Sequence, residues 1–217
     1  MARLTAPLMS LGASGTIGKA ITFSTWKGIP YARVRVIPAN PKSVAQTAVR
    51  NIFTNLSELW KRSGALAKLP FTYAARGQAF TDRNVHTGKN VPALQGDADL
   101  DDLVMSVATG QAINVINVVT ADGADGTVTV TADAPTAPTG YTLSQVIGVA
   151  VLDGDPEDLI TRQTYIGEDG STPYSFVITI NVDGEYQVGV FALWTRDSDS
   201  MPFCSVADRT QVTVTGS

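Results

Sequence analysis

The spacing of apolar positions changes along the chain and divides it into parts with different predicted structures. Apolar and polar residues alternate over residues 21–36, as in β-strands, then recur at helical spacing from residue 43, and alternate again from about residue 113. The pattern predicts a multi-part α+β fold. An extended N-terminal arm with a hairpin and a short helical segment precede an all-β sandwich.

The first alternating stretch is predicted to form a β-hairpin. Lys27-Gly28-Ile29-Pro30 is a turn signal between its two strands. One face of this hairpin is apolar, and the other face carries Arg33 and Arg35. Because a two-stranded hairpin is only marginally stable by itself in water, we expect it to pack either on its own chain or on a neighbouring subunit.

A helix is predicted to follow the arm. Ser43 and Gln46 form a capping-box pattern, and Lys61 and Arg62 occupy the last turn before Gly64, a typical helix stop. Between these ends runs a wide apolar stripe at helical spacing, made of Val44, Ala48, Val49, Ile52, Phe53, Leu56, Leu59 and Trp60.

The helical signal weakens beyond this point. A second helix is predicted to begin at Pro70 and to carry Phe71, Tyr73, Ala74 and Phe80. Residues 84–112 contain several glycines and a proline, and they are predicted to be a partly structured connection.

Strand-like segments separated by turn residues fill the last hundred residues. Seven short strands in that length are typical of a β-sandwich. The segments are Ile113–Val119, Thr127–Ala132, Gln145–Leu152, Leu159–Ile166, Tyr174–Asn181, Glu185–Trp194 and Ser205–Thr215.

One of these strands begins with a pattern that resembles the tyrosine corner of immunoglobulin-like domains. In Asp183-Gly184-Glu185-Tyr186-Gln187-Val188, Tyr186 lies two residues before a predicted inward position and is expected to bond back across the preceding turn. Val188 stands where antibody-type domains have a cysteine, so the resemblance implies an Ig-like sandwich without its inter-sheet disulfide. Trp194 is a candidate core residue at the end of this strand.

Together these patterns predict four parts. Residues 1–42 form an extended basic arm with the hairpin, and residues 43–95 form the helical segment. Residues 96–112 form an acidic linker, and residues 113–217 form the Ig-like β-sandwich.

The charge of the chain is divided in the same way. Residues 1–96 carry 13 basic and 2 acidic side chains, a net charge of +11, whereas residues 97–217 carry 3 basic and 18 acidic side chains, a net charge of −15. A charge asymmetry of this size indicates that the two parts of the chain bind partners of different charge. We expect the basic part to bind an acidic surface and the acidic part to stay solvated.

Cysteine content and hydropathy exclude several other classes of protein. Cys204 is the single cysteine, so no intrachain disulfide is possible, and the thiol is predicted to be a small buried side chain. No run of apolar residues is long enough to span a membrane, and the N-terminus lacks the pattern of a signal peptide. No membrane partner is therefore expected.

Motifs for catalysis, nucleotides or metals are incomplete. Gly12 to Lys19 resembles a phosphate loop, but Ala13 and Ala20 occupy positions that the Walker pattern reserves for glycine and for serine or threonine. His86 is the single histidine and is predicted to lie at the surface or in a linker, and no second histidine or cysteine lies near it in sequence to complete a zinc site. The acidic stretch 153–158 lacks the EF-hand pattern and is predicted to be a solvated turn. No catalytic residue, cofactor or metal is predicted.

The N-terminal region resembles a family of phage proteins. The residues that carry the resemblance are Gly15-Thr16-Ile17-Gly18, Ile21-Thr22-Phe23-Ser24-Thr25-Trp26-Lys27-Gly28 and Arg35-Val36-Ile37-Pro38-Ala39-Asn40-Pro41. The pattern is similar to uncharacterised structural (virion) proteins of tailed bacteriophages and prophages, and it covers roughly the first 95 residues. It carries no catalytic motif, and Ig-like modules are common additions to proteins of phage heads and tails.

The resemblance implies a structural virion protein, assembled in the host cytoplasm, that binds other virion proteins and copies of itself. Capsid decoration or a minor capsid role is favoured over a tail or head–tail role. The chain is predicted not to be an enzyme. Aromatic and basic residues of the N-terminal part are the interface candidates: Trp26, Tyr31, Arg33, Arg35, Arg50, Trp60, Lys61 and Arg62.

Two other functions stay open at this point. The net charge of the basic part is enough to attract nucleic acid without sequence specificity. The basic residues are too dispersed for a DNA-reading helix-turn-helix. A glycan hydrolase with paired C-terminal carboxylates is the other alternative, although these acids lie mainly in turns.

Overall fold

The computed structural model describes residues 2–3, 13–37, 39–96, 99–123, 126–133, 136–156, 164–171 and 173–215. It is an α+β structure with helices and antiparallel sheets, and most of its regular structure is β. The chain divides into two compact units, Met1–Lys42 and Ser43–Ser217, which are called unit 1 and unit 2.

Unit 1 is a single antiparallel sheet. Its strands are β1 (Ala2–Arg3), β2 (Gly15–Ile17), β3 (Ile21–Trp26) and β4 (Ile29–Val34), in the order β1-β4-β3-β2. The predicted hairpin is present as β3 and β4. The sequence did not predict the short strands that flank it.

Unit 2 begins with three helices, α1 (Val44–Arg62), α2 (Ala65–Ala75) and α3 (Asp82–Ala93). The Ser43 hydroxyl caps α1 by accepting a hydrogen bond from the Gln46 backbone N–H at 3.4 Å, as predicted. The apolar stripe of α1 is only partly used. Ile52, Leu56 and Leu59 are buried, whereas Val44 and Phe53 are exposed.

The second and third helices differ from the prediction. Helix α2 begins at Ala65 and contains Pro70 in its interior, and Phe80 lies beyond its end. Helix α3 occupies part of the region predicted to be a connection. Its interior Gly88 and Pro92 lower helix propensity, so its stability comes mainly from tertiary packing of its buried face.

The β part of unit 2 consists of two antiparallel sheets. One sheet has the order β5-β6-β9, and the other has the order β11-β10-β7-β8, with β12 also paired to β10. Part of the predicted fourth strand, residues 159–163, lies outside the described residues. The strands are β5 (Ile116–Asp122), β6 (Thr127–Asp133), β7 (Tyr141–Leu152), β8 (Thr164–Asp169), β9 (Tyr174–Thr179), β10 (Gly184–Arg196), β11 (Pro202–Cys204) and β12 (Asp208–Val214).

A hydrophobic core joins the two sheets. Trp194 is fully buried in it, as predicted, and its indole Nε1–H donates a hydrogen bond to the Ile113 carbonyl at 2.9 Å. Tyr186 is also buried, and its hydroxyl donates to the Val182 carbonyl at 2.9 Å. This is the back-bond expected of a tyrosine corner, and Val188 points into the core two residues later.

A second core lies on the opposite face of the larger sheet. Ile147, Val149 and Phe191 of this sheet pack with α1 residues such as Leu56 and Leu59. The central strands β7 and β10 are therefore buried on both faces. The helices and the two sheets form three layers of one unit.

The segment predicted to be an acidic linker is part of this second core. Leu100, Leu103 and Met105 are buried, while Asp101 and Asp102 between them are exposed. Apolar residues of this segment pack on the sheet, and Asp101 accepts a hydrogen bond from the Gln187 side chain of β10. Residues 97 and 98 lie outside the described residues.

Cys204 belongs to the same core and is buried, as predicted. Burial raises the pKa of its thiol to about 12, because the charged thiolate is disfavoured in an apolar environment. The neutral thiol acts as a small apolar side chain.

Candidate interaction surface

The hairpin of unit 1 turns within two residues. Lys27 and Gly28 both have positive φ angles, 49° and 78°, and they join β3 directly to β4. Two-residue turns of this kind match the twist of paired strands. The turn fixes the register, in which Phe23 lies opposite Ala32 and Ile21 lies opposite Val34.

This register separates the side chains of unit 1 into two faces. One face is apolar and carries Ile17, Ile21, Phe23, Ala32 and Val34, and we call it the apolar face. The other face carries Trp26, Tyr31 and Arg33 among threonine and serine side chains.

The apolar face is largely open to solvent. Val34 is 74% exposed, and Ile17 and Ile21 are also exposed. The described residues of unit 1 form a single layer, and none of them forms a second layer over this face. A sheet with one apolar face is stable only when that face packs on another element.

Trp26 is the most prominent aromatic side chain of the opposite face. It is 64% exposed, and the Lys27 Nζ lies 5.0 Å from the centroid of its ring. Tryptophan is enriched among the interface residues whose replacement weakens binding most. A cation close to an aromatic ring is a favourable contact in such positions.

All the charge of unit 1 has one sign. Residues 1–42 contain six basic and no acidic side chains. Lys19 lies in the turn between β2 and β3, next to Arg35, which follows β4, whereas Lys27 lies at the other end of the hairpin. Basic residues therefore flank the apolar face at both ends.

The structure places the eight predicted interface residues in two groups. Trp26, Tyr31, Arg33 and Arg35 belong to unit 1, on or beside the hairpin. The others lie on α1 of unit 2: Arg50, Trp60, Lys61 and Arg62.

The α1 residues have contacts within unit 2. Trp60 is half-buried, with its ring centroid 5.8 Å from that of Phe71, and the Lys68 Nζ lies 5.4 Å from the Trp60 ring. Lys61 pairs with Glu58 at 2.5 Å. Trp60 thus has a packing role inside unit 2.

The interface candidates left out the aliphatic residues Ile17, Ile21 and Val34. The alternation of apolar residues had indicated an apolar face, but only the structure shows that this face is exposed. Aromatic and basic side chains were selected because they usually contribute most to the binding energy of an interface. That criterion does not detect an interface made of aliphatic side chains on a sheet.

No protein-family model and no curated protein matches this chain. In the described ranges, no helix combines the length and the apolar content needed to cross a membrane. Over the same ranges, His, Cys, Asp and Glu side chains form no group of three or more that could hold a metal ion.

The predictions for His86 and Asp153 are wrong. Asp153 of the predicted solvated turn accepts hydrogen bonds from the Leu100 N–H and the Gln187 side chain.

His86 was expected at the surface or in a linker, but it is buried in α3 against the rings of Phe71 and Trp60, with centroids 4.9 Å and 5.0 Å away. Its Nδ1 is buried without a hydrogen-bond partner among the described residues. Burial, together with the positive charge of Arg83, lowers the pKa of His86 from 6.5 to about 4.

This histidine should make unit 2 less stable in mild acid. Unfolded His86 binds a proton near pH 6.5, whereas the folded residue stays neutral down to about pH 4. Stability is therefore lost as the pH falls through this window, by roughly 2 to 3 kcal/mol at pH 4.5. Urea titrations at about pH 7 and pH 4.5 measure the loss, and His86→Gln is the comparison. Equal pH dependence in both proteins would contradict this assignment.

Proposed function

We propose that this chain is a structural virion protein of a tailed bacteriophage. In this proposal unit 1 anchors the chain to a neighbouring subunit, and unit 2 stands as the exposed domain, in capsid decoration or a minor capsid role. The N-terminal resemblance to phage structural proteins is one support. The observation that carries the proposal is the single-layered, acid-free sheet of unit 1 with its exposed apolar face.

The physical argument starts from the stability of unit 1. A thin sheet with exposed Ile17, Ile21 and Val34 gains free energy when a partner covers these side chains, at roughly 25 cal/mol for each Å² of apolar surface removed from water. Its basic residues favour a partner with an acidic rim. Such a unit is suited to anchoring within an assembly.

We further propose that the β part of unit 2 is an Ig-like sandwich. Its first, second and fifth strands, β5, β6 and β9, share one sheet, while β7, β10 and β12 share the other with β8. Ig-like sandwiches place strands A, B and E against C, F and G in this manner. The Tyr186 hydrogen bond to Val182 adds to this support. An experimental structure in which β9 pairs outside the β5-β6 sheet would overturn the assignment.

The function can be tested in the phage or prophage that encodes the chain. Mass spectrometry of purified particles should detect the protein, and electron microscopy should locate it on the head or the tail. Lys19→Glu with Arg35→Glu, at one end of the apolar face, is expected to lower its copy number in particles at least about tenfold, because two negative charges would then face the acidic partner. Lys89→Glu on the exposed surface of α3 is the matched control.

Two results would count against the proposal. Particles that lack the protein altogether would contradict a virion role. Particles that keep full copy number in the double variant would show that the basic residues of unit 1 do not anchor it.

Non-specific nucleic-acid binding is the alternative that the charge of unit 1 favours. Filter binding to duplex DNA over a series of salt concentrations separates the two functions. Tight binding that weakens steeply with salt would favour nucleic acid. Absence of binding at physiological salt would support the protein partner.

A further inference from the structure

Unit 2 also presents a sheet face that nothing in the described part of unit 2 covers. Strands β6 and β9 alternate buried and outward side chains, and the outward rows include Thr129 opposite Val177 and Thr131 opposite Val119. Val119 is 58% exposed and Val177 is 52% exposed, and Ile116 is exposed on the same sheet. We call this surface the outer face.

The outer face has the opposite charge to unit 1. Strands β5, β6 and β9 contain no lysine or arginine. Asp133 lies at one end of the outer face and is exposed. Asp122 lies at the other end of the β5–β6 pair, but it stands opposite the buried Val128 and accepts a hydrogen bond from the Thr215 hydroxyl at 2.8 Å, so it does not belong to this face. The strands of the outer face thus carry an acid and no basic residue.

The net charges of the two units also have opposite signs. Residues 43–217 carry 10 basic and 20 acidic side chains, a net charge of −10, against +6 on residues 1–42. Surfaces of opposite potential attract each other and dock in a preferred orientation. One chain thus holds both members of a complementary pair.

The two faces are also of the same kind. Each is one side of an antiparallel sheet that carries exposed β-branched side chains, Ile21 and Val34 on one and Val119 and Val177 on the other. Two such sheets pack face to face about 10 Å apart, with their side chains interdigitated. The packing would cover Val34 on one surface and Val177 on the other.

We propose that the apolar face of unit 1 packs on the outer face of a second copy of this chain. The inference rests on the proposed function, in which unit 1 anchors to a neighbouring subunit, and it names that neighbour and its surface. Because the two surfaces differ, each copy can bind one neighbour through its apolar face and another neighbour through its outer face. A contact of this type builds rings or extended arrays.

Two lysine variants test the contact from its two sides. Val34→Lys alters the apolar face, and Val177→Lys alters the outer face. Both valines are exposed, so neither change should disturb the fold. Both carry the same charge, so the two altered surfaces cannot rescue each other. Val206→Lys, on an exposed residue between β11 and β12 and outside both faces, is the control.

Analytical ultracentrifugation of the full chain over a series of concentrations measures the result. The wild type and Val206→Lys are expected to associate as concentration rises. Each of the other variants should raise the dissociation constant at least about tenfold, because a charge is buried without a partner. An equimolar mixture of Val34→Lys and Val177→Lys should form a dimer and nothing larger, since it retains one intact pair of surfaces.

Other outcomes would overturn the inference. A wild type that stays monomeric at every concentration would exclude the second copy as the partner. Association that survives both variants would place the contact elsewhere. In either case the proposed function is judged separately, by whether the Lys19→Glu, Arg35→Glu double variant is lost from particles.

Discussion

Replacing Phe191 with alanine is expected to lower the free energy of unfolding of unit 2 by about 4 kcal/mol. Phe191 is fully buried near the middle of β10, on the face of the larger sheet that packs against the helices. Its removal leaves a cavity between two layers of the core. Because these layers share one core, the helices and the sheets should unfold in a single transition at a lower urea concentration.

Two signals from the same urea titration check this result. Far-UV circular dichroism reports the helices, and tryptophan fluorescence reports Trp194 between the sheets, with Trp60 on α1 as a second reporter. The transitions should coincide in the wild type and in Phe191→Ala. Val177→Ala, at an exposed position, should change stability by less than about 0.5 kcal/mol. Two separate transitions would mean that the helical segment and the sheets fold independently.

Replacing Asn90 with leucine is expected to cost roughly 3 kcal/mol. The Asn90 side chain is fully buried in α3 and holds the segment that follows it, by donating from Nδ2 to the Val104 carbonyl at 3.1 Å and accepting at Oδ1 from the Val104 N–H at 2.7 Å. Leucine has the same number of side-chain heavy atoms and branches at the same carbon, but it leaves both backbone groups of Val104 without these partners. Unpaired polar groups in a partly buried position are costly.

Hydrogen exchange identifies where this loss acts. Protection of the Val104 amide should fall in Asn90→Leu, and the loss should extend to Leu103 and Met105, which pack on the sheet. Asn84→Leu, at an exposed position on the same helix, is the matched control. Unchanged protection at Val104 would show that the side chain of Asn90 is not what holds the segment.

Much of the local structure could be predicted because it depends on neighbours in sequence. The turn at Lys27-Gly28, the cap at Ser43 and the bond from Tyr186 to Val182 each involve residues within four positions of one another. Their signals are short and specific. Most strands from residue 116 onward followed from alternation and turn residues in the same way, although β11 was not predicted and β8 shares only residues 164–166 with the segment predicted for it.

The relation between the helices and the sheets could not be predicted in this way. The sequence predicted a helical segment, a linker and a separate sandwich, whereas Leu100, Leu103 and Met105 pack in the core that joins helices to the sheet. A signal was present in the strands themselves. Residues 146–151 and 188–194 are nearly continuous apolar runs, which indicate strands that are buried on both faces.

The burial of His86 could not be predicted from the sequence for the same reason. A lone histidine in a segment with glycine and proline lacks a helical pattern, so local propensity favoured a surface position. The rings of Trp60 and Phe71, which come from two other helices, enclose it. Their contribution depends on long-range packing, which no short window of sequence contains.

The sequence by itself determined the division of charge, the hairpin with its two faces, the first helix and most of the longer strands, because these depend on composition and on residues close in the chain. The tertiary structure alone decided that the larger sheet is covered on both sides, that the acidic segment is anchored by Asn90, and that the aliphatic faces of unit 1 and of the β5-β6-β9 sheet are open. The physical reason is that burial depends on which distant elements share a core. The local pattern of residues predicts that a face is apolar, but it does not predict whether another element covers that face.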